Sequence, residues 1–312
     1  MKKDVTIKYL RNIFRKIFAY IPSFNRRVIV YMDGGICSQI NQYVIGQLIA
    51  RKGYQVSYDT TFFDKNGLDL TGKFVRNFDI LKLYPYLEFQ TADRFKVKFW
   101  AKLFRRSKKY SHSDFDYLQE VPPFYLAGYY GVPDEVSRKL YNYLPDIDYD
   151  SILNSKEDKS YASQIMNCIL SCGVHVRRGD LANGGSLYYG EGTSKEYFIR
   201  SIDYVKNRNC NAHFFFFSDE IDYVEREIIP MINGVEYTVI RGNGSDKGYI
   251  DLALCSLCDI QIASVGSMGK YATLLKRNGK KCIILPNIPQ SKMWARKIDG
   301  ETIMIDNDSG KC

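Results

Sequence analysis

Hydrophobic positions along the chain alternate between helical spacing and short continuous runs. Residues 8–21 place Leu10, Ile13, Phe14, Ile17, Phe18 and Ile21 at intervals of three and four, with Lys8, Arg11, Arg15 and Lys16 on other faces. That spacing predicts an amphipathic basic helix ending at Pro22. The apolar run over 26–32 reads as a first strand. It leads into Asp33, Gly34, Gly35 and then a helical pattern carrying Tyr43, Val44, Leu48 and Ile49, with a second strand at 55–58. Strand, glycine turn, helix and strand in this order make a parallel α/β unit.

From 59 to 148 the pattern is less regular. Residues 95–110 carry Lys96, Lys98, Lys102, Arg105, Arg106, Lys108 and Lys109 among Phe95, Val97, Phe99, Trp100, Leu103 and Phe104, a second basic amphipathic stretch. Two readings fit both basic stretches: a surface for anionic lipid, or a solvated face of a helix packed on the core. Tyr125, Tyr129 and Tyr130 follow Pro122 and Pro123 in a strand that either belongs to the core or lines a sugar site, where aromatic rings suit pyranose faces. A helix over 135–143 precedes a polar, proline-initiated stretch at 146–155, read as an interdomain link.

The second half repeats the α/β rhythm. A helix around 161–169 leads to a strand over 172–176, which ends abruptly in Arg177, Arg178, Gly179 and Asp180. A helix over 195–206 precedes the run Phe214, Phe215, Phe216 and Phe217, continuous as in a strand buried on both faces. That run ends at Ser218, Asp219 and Glu220. Strands follow at 236–240, 259–263 and 282–285, with a helix from Asp251 to Cys258 and a small-residue turn, 264–269, that opens another helix. Polar, glycine-rich turns thus recur at the carboxyl ends of strands, where doubly wound sheets hold their ligands.

Length and charge narrow the function. At 312 residues the chain suffices for two domains. The predicted division is 1–25, a basic helix able to anchor on a membrane surface; 26–150, an amino-terminal α/β domain; and 151–312, a carboxyl-terminal α/β domain. The net charge of +9 is compatible with nucleic acid, an anionic membrane or phosphorylated small molecules. Residues 8–21 are too short and too charged to span a bilayer, and arginines interrupt the apolar run that a signal peptide needs. Most of the eight cysteines lie in apolar runs, as core thiols of a cytoplasmic protein do. Cys255 and Cys258 have C-x-x-C spacing without a second pair, so a packed helix face is a better reading than zinc.

The sequence His175-Val176-Arg177-Arg178-Gly179-Asp180 resembles the His-x-Arg-Arg-Gly-Asp motif of glycosyltransferase family 11, the alpha-1,2-fucosyltransferases. Residues 34–39 resemble that family's amino-terminal Gly-Gly-Leu-Gly-Asn-Gln loop, Phe217-Ser218-Asp219 its Phe-Ser-Asp, and Asp251 through Ser267 its Asp-Leu-x-Leu-Met-Ser segment and serine turn. The resemblance implies a GT-B-like α/β fold of two Rossmann-type domains with parallel sheets. It further implies a metal-independent, inverting transfer of L-fucose from GDP-beta-L-fucose to an acceptor sugar, alpha-1,2 to galactose, with no cofactor beyond the donor. His175, Arg177, Arg178, Asp219, Asp251, Ser267, Gly34 and Gly35 then match donor-site positions. Cys37-Ser38 and Gly266-Ser267-Met268-Gly269-Lys270 depart from the family pattern, and the second departure leaves another GDP-6-deoxyhexose, such as colitose, open as donor.

The chemistry accounts for these residue types. As the anomeric carbon gains oxocarbenium character, negative charge grows on the departing diphosphate, and a guanidinium can stabilise it. Arg177 is the expected clamp, with Arg178 a second donor or an ion-pair partner orienting the loop. Inversion needs a base near the acceptor hydroxyl, for which Asp180 and Asp33 are candidates; His175 lies inside its strand, as structural histidines do. The resulting expectation is a cytoplasmic enzyme, peripheral on the inner face of a bacterial membrane, that builds O-antigen or lipopolysaccharide glycans on lipid-linked acceptors. A non-enzymatic basic protein on membranes or nucleic acid is the competing reading.

Overall fold

The computed structural model describes residues 12–65, 67–68, 75–106, 116–179, 192–244, 246–277 and 279–307. They form two units, one of residues up to 68 with 75–78 and 86–132, the other of residues 79–85 and 133–307.

The first unit is built on a parallel sheet of β1 (Arg27–Tyr31), β2 (Gln55–Asp59) and β3 (Phe124–Leu126), in the order β2-β1-β3. The β-branched Val28, Ile29 and Val30 are all buried, as a central strand covered on both faces requires. Register runs from Arg27 opposite Gln55 to Tyr31 opposite Asp59. Between β1 and β2 lies α1 (Ile36–Ala50), which is buried on most of its circumference. A second helix, α2 (Arg94–Leu103), is capped by Asp93, whose carboxylate accepts from the Phe95 amide. It buries Val97 and Trp100 with Phe104 against Ile29, Tyr31 and Tyr125.

The amino-terminal segment is helical over 12–18, and residues 8–11 of the expected helix lie outside the described residues. It belongs to the first unit rather than forming a separate segment. Phe18 packs on Phe99 and Phe104, and Phe24 stacks on Trp100. The basic stretch expected over 95–110 is helical only to Leu103, and 107–115 lie outside the described residues. Tyr125 and Tyr130 are buried, as the core reading expects: the Tyr125 hydroxyl donates to Asp59 Oδ2 (2.6 Å) and that of Tyr130 to the Ala127 carbonyl (3.3 Å).

The second unit is a six-stranded parallel sheet of β4 (Leu170–Val176), β5 (Ala212–Ser218), β6 (Glu236–Val239), β7 (Ile260–Ala263), β8 (Cys282–Pro286) and β9 (Glu301–Ile305), ordered β6-β5-β4-β7-β8-β9. The chain starts in the middle, winds outward through β5 and β6, then crosses to the far side of β4 to lay down β7, β8 and β9. This is the doubly wound 3-2-1-4-5-6 order, and its direction reverses between β4 and β7. The helices that fix the strands include α3 (Lys156–Asn167), α4 (Lys195–Arg208), α5 (Gly248–Leu257), α6 (Met268–Leu275) and α7 (Pro289–Ala295). The Phe214–Phe217 run is fully buried, as its composition requires. From α4, the Tyr197 hydroxyl reaches the carbonyls of Ala263 in β7 and Ile284 in β8, each at 2.9 Å.

The division between units falls at Val132 and Pro133 rather than near residue 150. Long-range contacts draw the expected link into the second unit. Arg138 Nε donates to the Arg296 carbonyl (2.9 Å), Lys297 pairs with Asp134 (3.3 Å), and Arg277 reaches both Asp146 and the Leu144 carbonyl. The helix expected over 135–143 is a short α-turn, Asp134–Arg138, followed by a 3-10 turn, Leu140–Tyr143.

Candidate functional site

At the carboxyl end of β4 the backbone leaves the core at Val176 and presents Arg177 and Arg178. The neighbouring strand ends determine where each guanidinium goes. Val176 pairs with Ser218 in β5, which brings Asp219 beside the arginines. One Asp219 oxygen takes Arg177 Nη1 at 2.8 Å, and the other accepts from the Arg178 amide at 2.9 Å. The Ser218 hydroxyl donates to the Val176 carbonyl at 2.8 Å and accepts from the Glu220 amide at 3.0 Å, tying the two strand ends together.

The two arginines part company here. The Arg178 guanidinium turns to Glu220 (3.2 Å) and lies over the Tyr223 ring, 3.7 Å from its centroid. Arg178 is thus ion-paired to the end of β5, as Arg177 is. Arg177 is held from one side by Asp219 and packs on the turn after β7. A Cβ built on Gly266 would stand 3.3 Å from both Cβ and Cγ of Arg177, so a residue without a side chain lets the arginine lie against that turn.

The same turn secures the strand beneath. The Ser264 amide donates to the His175 carbonyl (3.3 Å), His175 Nδ1 lies 3.3 Å from Ser264 Oγ, and the Val265 amide donates to Thr193 Oγ1 (2.9 Å). Burial pushes the His175 imidazole down to about 3, helped by the Arg177 and Lys270 charges. The ring is thus held neutral inside the core. Ser267 opens α6 without a capping side-chain bond, so the first-turn amides and partial positive charge of this helix stand at the same strand end as Arg177. Lys270, fully buried one turn in, donates from Nζ to the Val265 carbonyl at 2.7 Å.

Arg177, Asp219, His175 and the Ser264 to Ser267 turn are therefore brought together at the reversal between β4 and β7. Asp251 sits in the first turn of α5, accepting from Asn243 Nδ2 at 2.8 Å; burial pushes its carboxyl up to about 7, with the Asp158 charge adding to the rise. Asp180 lies outside the described residues. In the first unit, Gly34 and Gly35 form the turn after β1, with Gly34 at φ +74°, a left-handed conformation that favours glycine. Gln39 Nε2 donates to the Gly34 carbonyl (3.0 Å) and the Asn77 carbonyl (2.8 Å). Asp33 is buried and accepts from Gln42 Nε2 at 2.6 Å, while its amide donates to Gln42 Oε1 at 3.0 Å.

Sequence reasoning missed the roles of Glu220, Tyr223, Gly266 and Lys270. A lysine inside the otherwise apolar run 268–275 was the one available signal. Cys172, Cys255 and Cys258 are buried, and burial pushes the thiols of Cys172 and Cys258 up, away from reactive thiolates. Among the described residues no cluster of three or more His, Cys, Asp or Glu could hold a metal ion, and no helix is long and apolar enough to cross a membrane. A cavity of about 450 Å³ in the first unit reaches from Arg27 and Gln55, the first residues of β1 and β2, to Asp93, Lys96 and Trp100. It does not include the strand ends that carry Gly34 and Gly35.

Chemically, the β4 to β7 reversal carries the Arg177 guanidinium, held by Asp219, beside the first-turn amides of α6, groups that suit a dianionic or diphosphate partner. The model of the family described as "Glycosyl transferase family 11" matches residues 91–304. An alpha-1,2-colitosyltransferase of Escherichia coli is 24% identical over 277 residues, covering 83% of this chain and 91% of the relative. Similar solved structures include POFUT1 in complex with GDP (TM-score 0.47, 12% identity, 90% of this chain and 99% of the other). NodZ alpha-1,6-fucosyltransferase co-crystallised with GDP follows (0.42, 14%, 80% and 92%), as does a family 9 glycosyl transferase from Veillonella parvula (0.46, 10%, 90% and 87%).

Proposed function

Since the chain belongs to glycosyl transferase family 11, we propose that it moves a 6-deoxyhexose from a GDP-linked donor to a hydroxyl of an acceptor sugar with inversion at the anomeric carbon. The observation that carries this reading is the Arg177 guanidinium, held by Asp219 at the reversal of a doubly wound sheet. In that role Arg177 binds the donor diphosphate and stabilises charge as the sugar–phosphate bond breaks, with the α6 amino terminus beside it. Charge neutralisation is assigned to Arg177 rather than to a metal. Arg178, engaged by Glu220 and Tyr223, positions the loop.

L-fucose in alpha-1,2 linkage to galactose is the first donor and product assignment. Colitose is the second, favoured by the relative named an alpha-1,2-colitosyltransferase. The acceptor class we assign is bacterial surface polysaccharide of the O-antigen or lipopolysaccharide type, assembled on a lipid-linked glycan on the cytoplasmic side. Buried thiols with raised pKa values suit a reducing compartment. Asp180 is the assigned base.

Arg177→Ala tests the reading. Loss of a charge-assisted contact worth about 1.5–3 kcal/mol weakens GDP binding by roughly ten- to a hundredfold, while circular dichroism stays unchanged. Thermal protection by GDP that persists in the variant overturns the diphosphate assignment. Turnover with GDP-mannose alone, against GDP-fucose and GDP-colitose, overturns the sugar.

A further inference from the structure

The first unit carries a surface that its own packing does not explain. On α2, Val97 and Trp100 face the core, whereas Phe95, Lys98, Phe99 and Lys102 share the opposite face. Phe95 is 95% exposed and Phe99 42%. Phe99 packs edge-on to Phe18, 6.1 Å between ring centroids, which brings the helical segment 12–18 alongside. That segment and the turn after it leave Phe14, Ile17 and Ile21 partly exposed and Tyr20 at 87%. Isolated exposed apolar residues need no explanation, but several on two adjoining helical segments, ringed by cations, do.

Among the described residues, the charge around these side chains is one-sided. The nearby carboxylates are already engaged: Asp93 with Lys96 (3.1 Å), Asp64 with Arg94 (3.0 Å), and Glu120 with both Arg15 and Arg106. Lys16, Lys98 and Lys102 are exposed, with no carboxylate partner among the described residues. We propose that this face docks the protein on an anionic lipid bilayer, with Phe95 and the neighbouring aromatic and aliphatic side chains entering the headgroup boundary and Lys16, Lys98 and Lys102 neutralising lipid phosphates. The aliphatic members, Ile17 and Ile21, match acyl chains and have no use in stacking nucleic-acid bases. The uncompensated lysines oppose pairing with a second copy of the same face. The docking does not depend on the transferase reading.

Full-length protein sedimented with vesicles of three parts phosphatidylcholine to one part phosphatidylglycerol tests this directly. The wild type is expected to pellet with these vesicles, weakly with pure phosphatidylcholine, and less at high salt. Phe95→Ser is expected to lower partitioning at least about tenfold, and Lys98→Gln with Lys102→Gln by roughly fivefold per lysine. Phe95 and both lysines are exposed, so thermal unfolding should match the wild type and exclude misfolding as the cause. No binding to the anionic vesicles, equal binding by the variants, tight binding to single-stranded RNA that Phe95→Ser leaves intact, or self-association that Phe95→Ser abolishes would each overturn the proposal.

Discussion

Asp251 offers a way to separate folding from ligand binding by pH. Desolvation, with the Asp158 charge adding to it, pushes its carboxyl up from 3.8 to about 7, and it accepts a hydrogen bond from Asn243. A folded state that holds a proton more tightly than the unfolded chain is stabilised by that proton. The contribution is fully present below about pH 4 and is lost as pH rises through 7. The gap between 3.8 and about 7 corresponds to roughly 4 kcal/mol at 1.36 kcal/mol per unit, an order-of-magnitude upper bound. Asp251→Asn keeps the shape and cannot ionise. Near pH 4 the variant should match the wild type or fall slightly below it, and by pH 5 the wild type has already lost roughly 1.6 kcal/mol of the proton's contribution. Near pH 8.5 the variant should be more stable, by several degrees in Tm for a chain of this size. Thermal unfolding of both proteins from pH 4 to 8.5 at constant ionic strength measures the difference, in which the opposite-signed contribution of His175 cancels. If Asp251 also contacts the GDP-sugar as a carboxylate, GDP affinity in the wild type rises through pH 7 and in the variant does not. Unfolding curves that stay parallel over the whole range would show that Asp251 is ionised throughout and that its burial has been misjudged.

Two more predictions address the strand-end cluster. Gly266→Ala places a methyl 3.3 Å from Arg177 Cβ and Cγ and 3.4 Å from Ser264 Oγ; overpacking of about 1–2 kcal/mol shifts the arginine and should weaken GDP binding around tenfold by calorimetry, whereas an unchanged Kd would separate Arg177 from the donor phosphates. The His175 ring, lowered from 6.5 to about 3, should remain neutral at pH 5 by nitrogen NMR, and its contribution to stability should fall as pH drops below 6.5; a titration midpoint near 6.5 would contradict its burial.

What could be read ahead of the fold depended on whether the signal was local. β4 and β5 announce themselves as unbroken apolar runs because parallel strands are covered on both faces, and Arg177 and Asp219 stand out as charges directly after such runs. β9 gave no such signal, because Glu301 to Ile305 at the sheet edge is only half buried. The domain boundary was misplaced because the contacts that draw residues 133–150 into the second unit come from Arg277, Arg296 and Lys297, far along the chain. The fate of Arg178 depended on the β4 to β5 register, which decides that Glu220 and Tyr223 lie within its reach. Tyr125 left a core strand and a sugar-facing ring both open because a tyrosine suits either setting; the carboxylate of Asp59 that satisfies its hydroxyl belongs to another strand.

The order of the second sheet also bears on how the protein is made. β4 leaves the ribosome before every other strand of its sheet, yet it finishes between β5 and β7, so both its edges stay open while the rest is synthesised. Its closing contacts are remote, as with His175 and Ser264, 89 residues apart. The arginines that end β4 therefore acquire their surroundings only when the chain has doubled back past the starting strand. A nascent or truncated chain that stops before β7 has the motif without its surroundings, and under the proposed donor role nucleotide binding becomes a late checkpoint of folding, reporting that the crossing from one half of the sheet to the other has been completed.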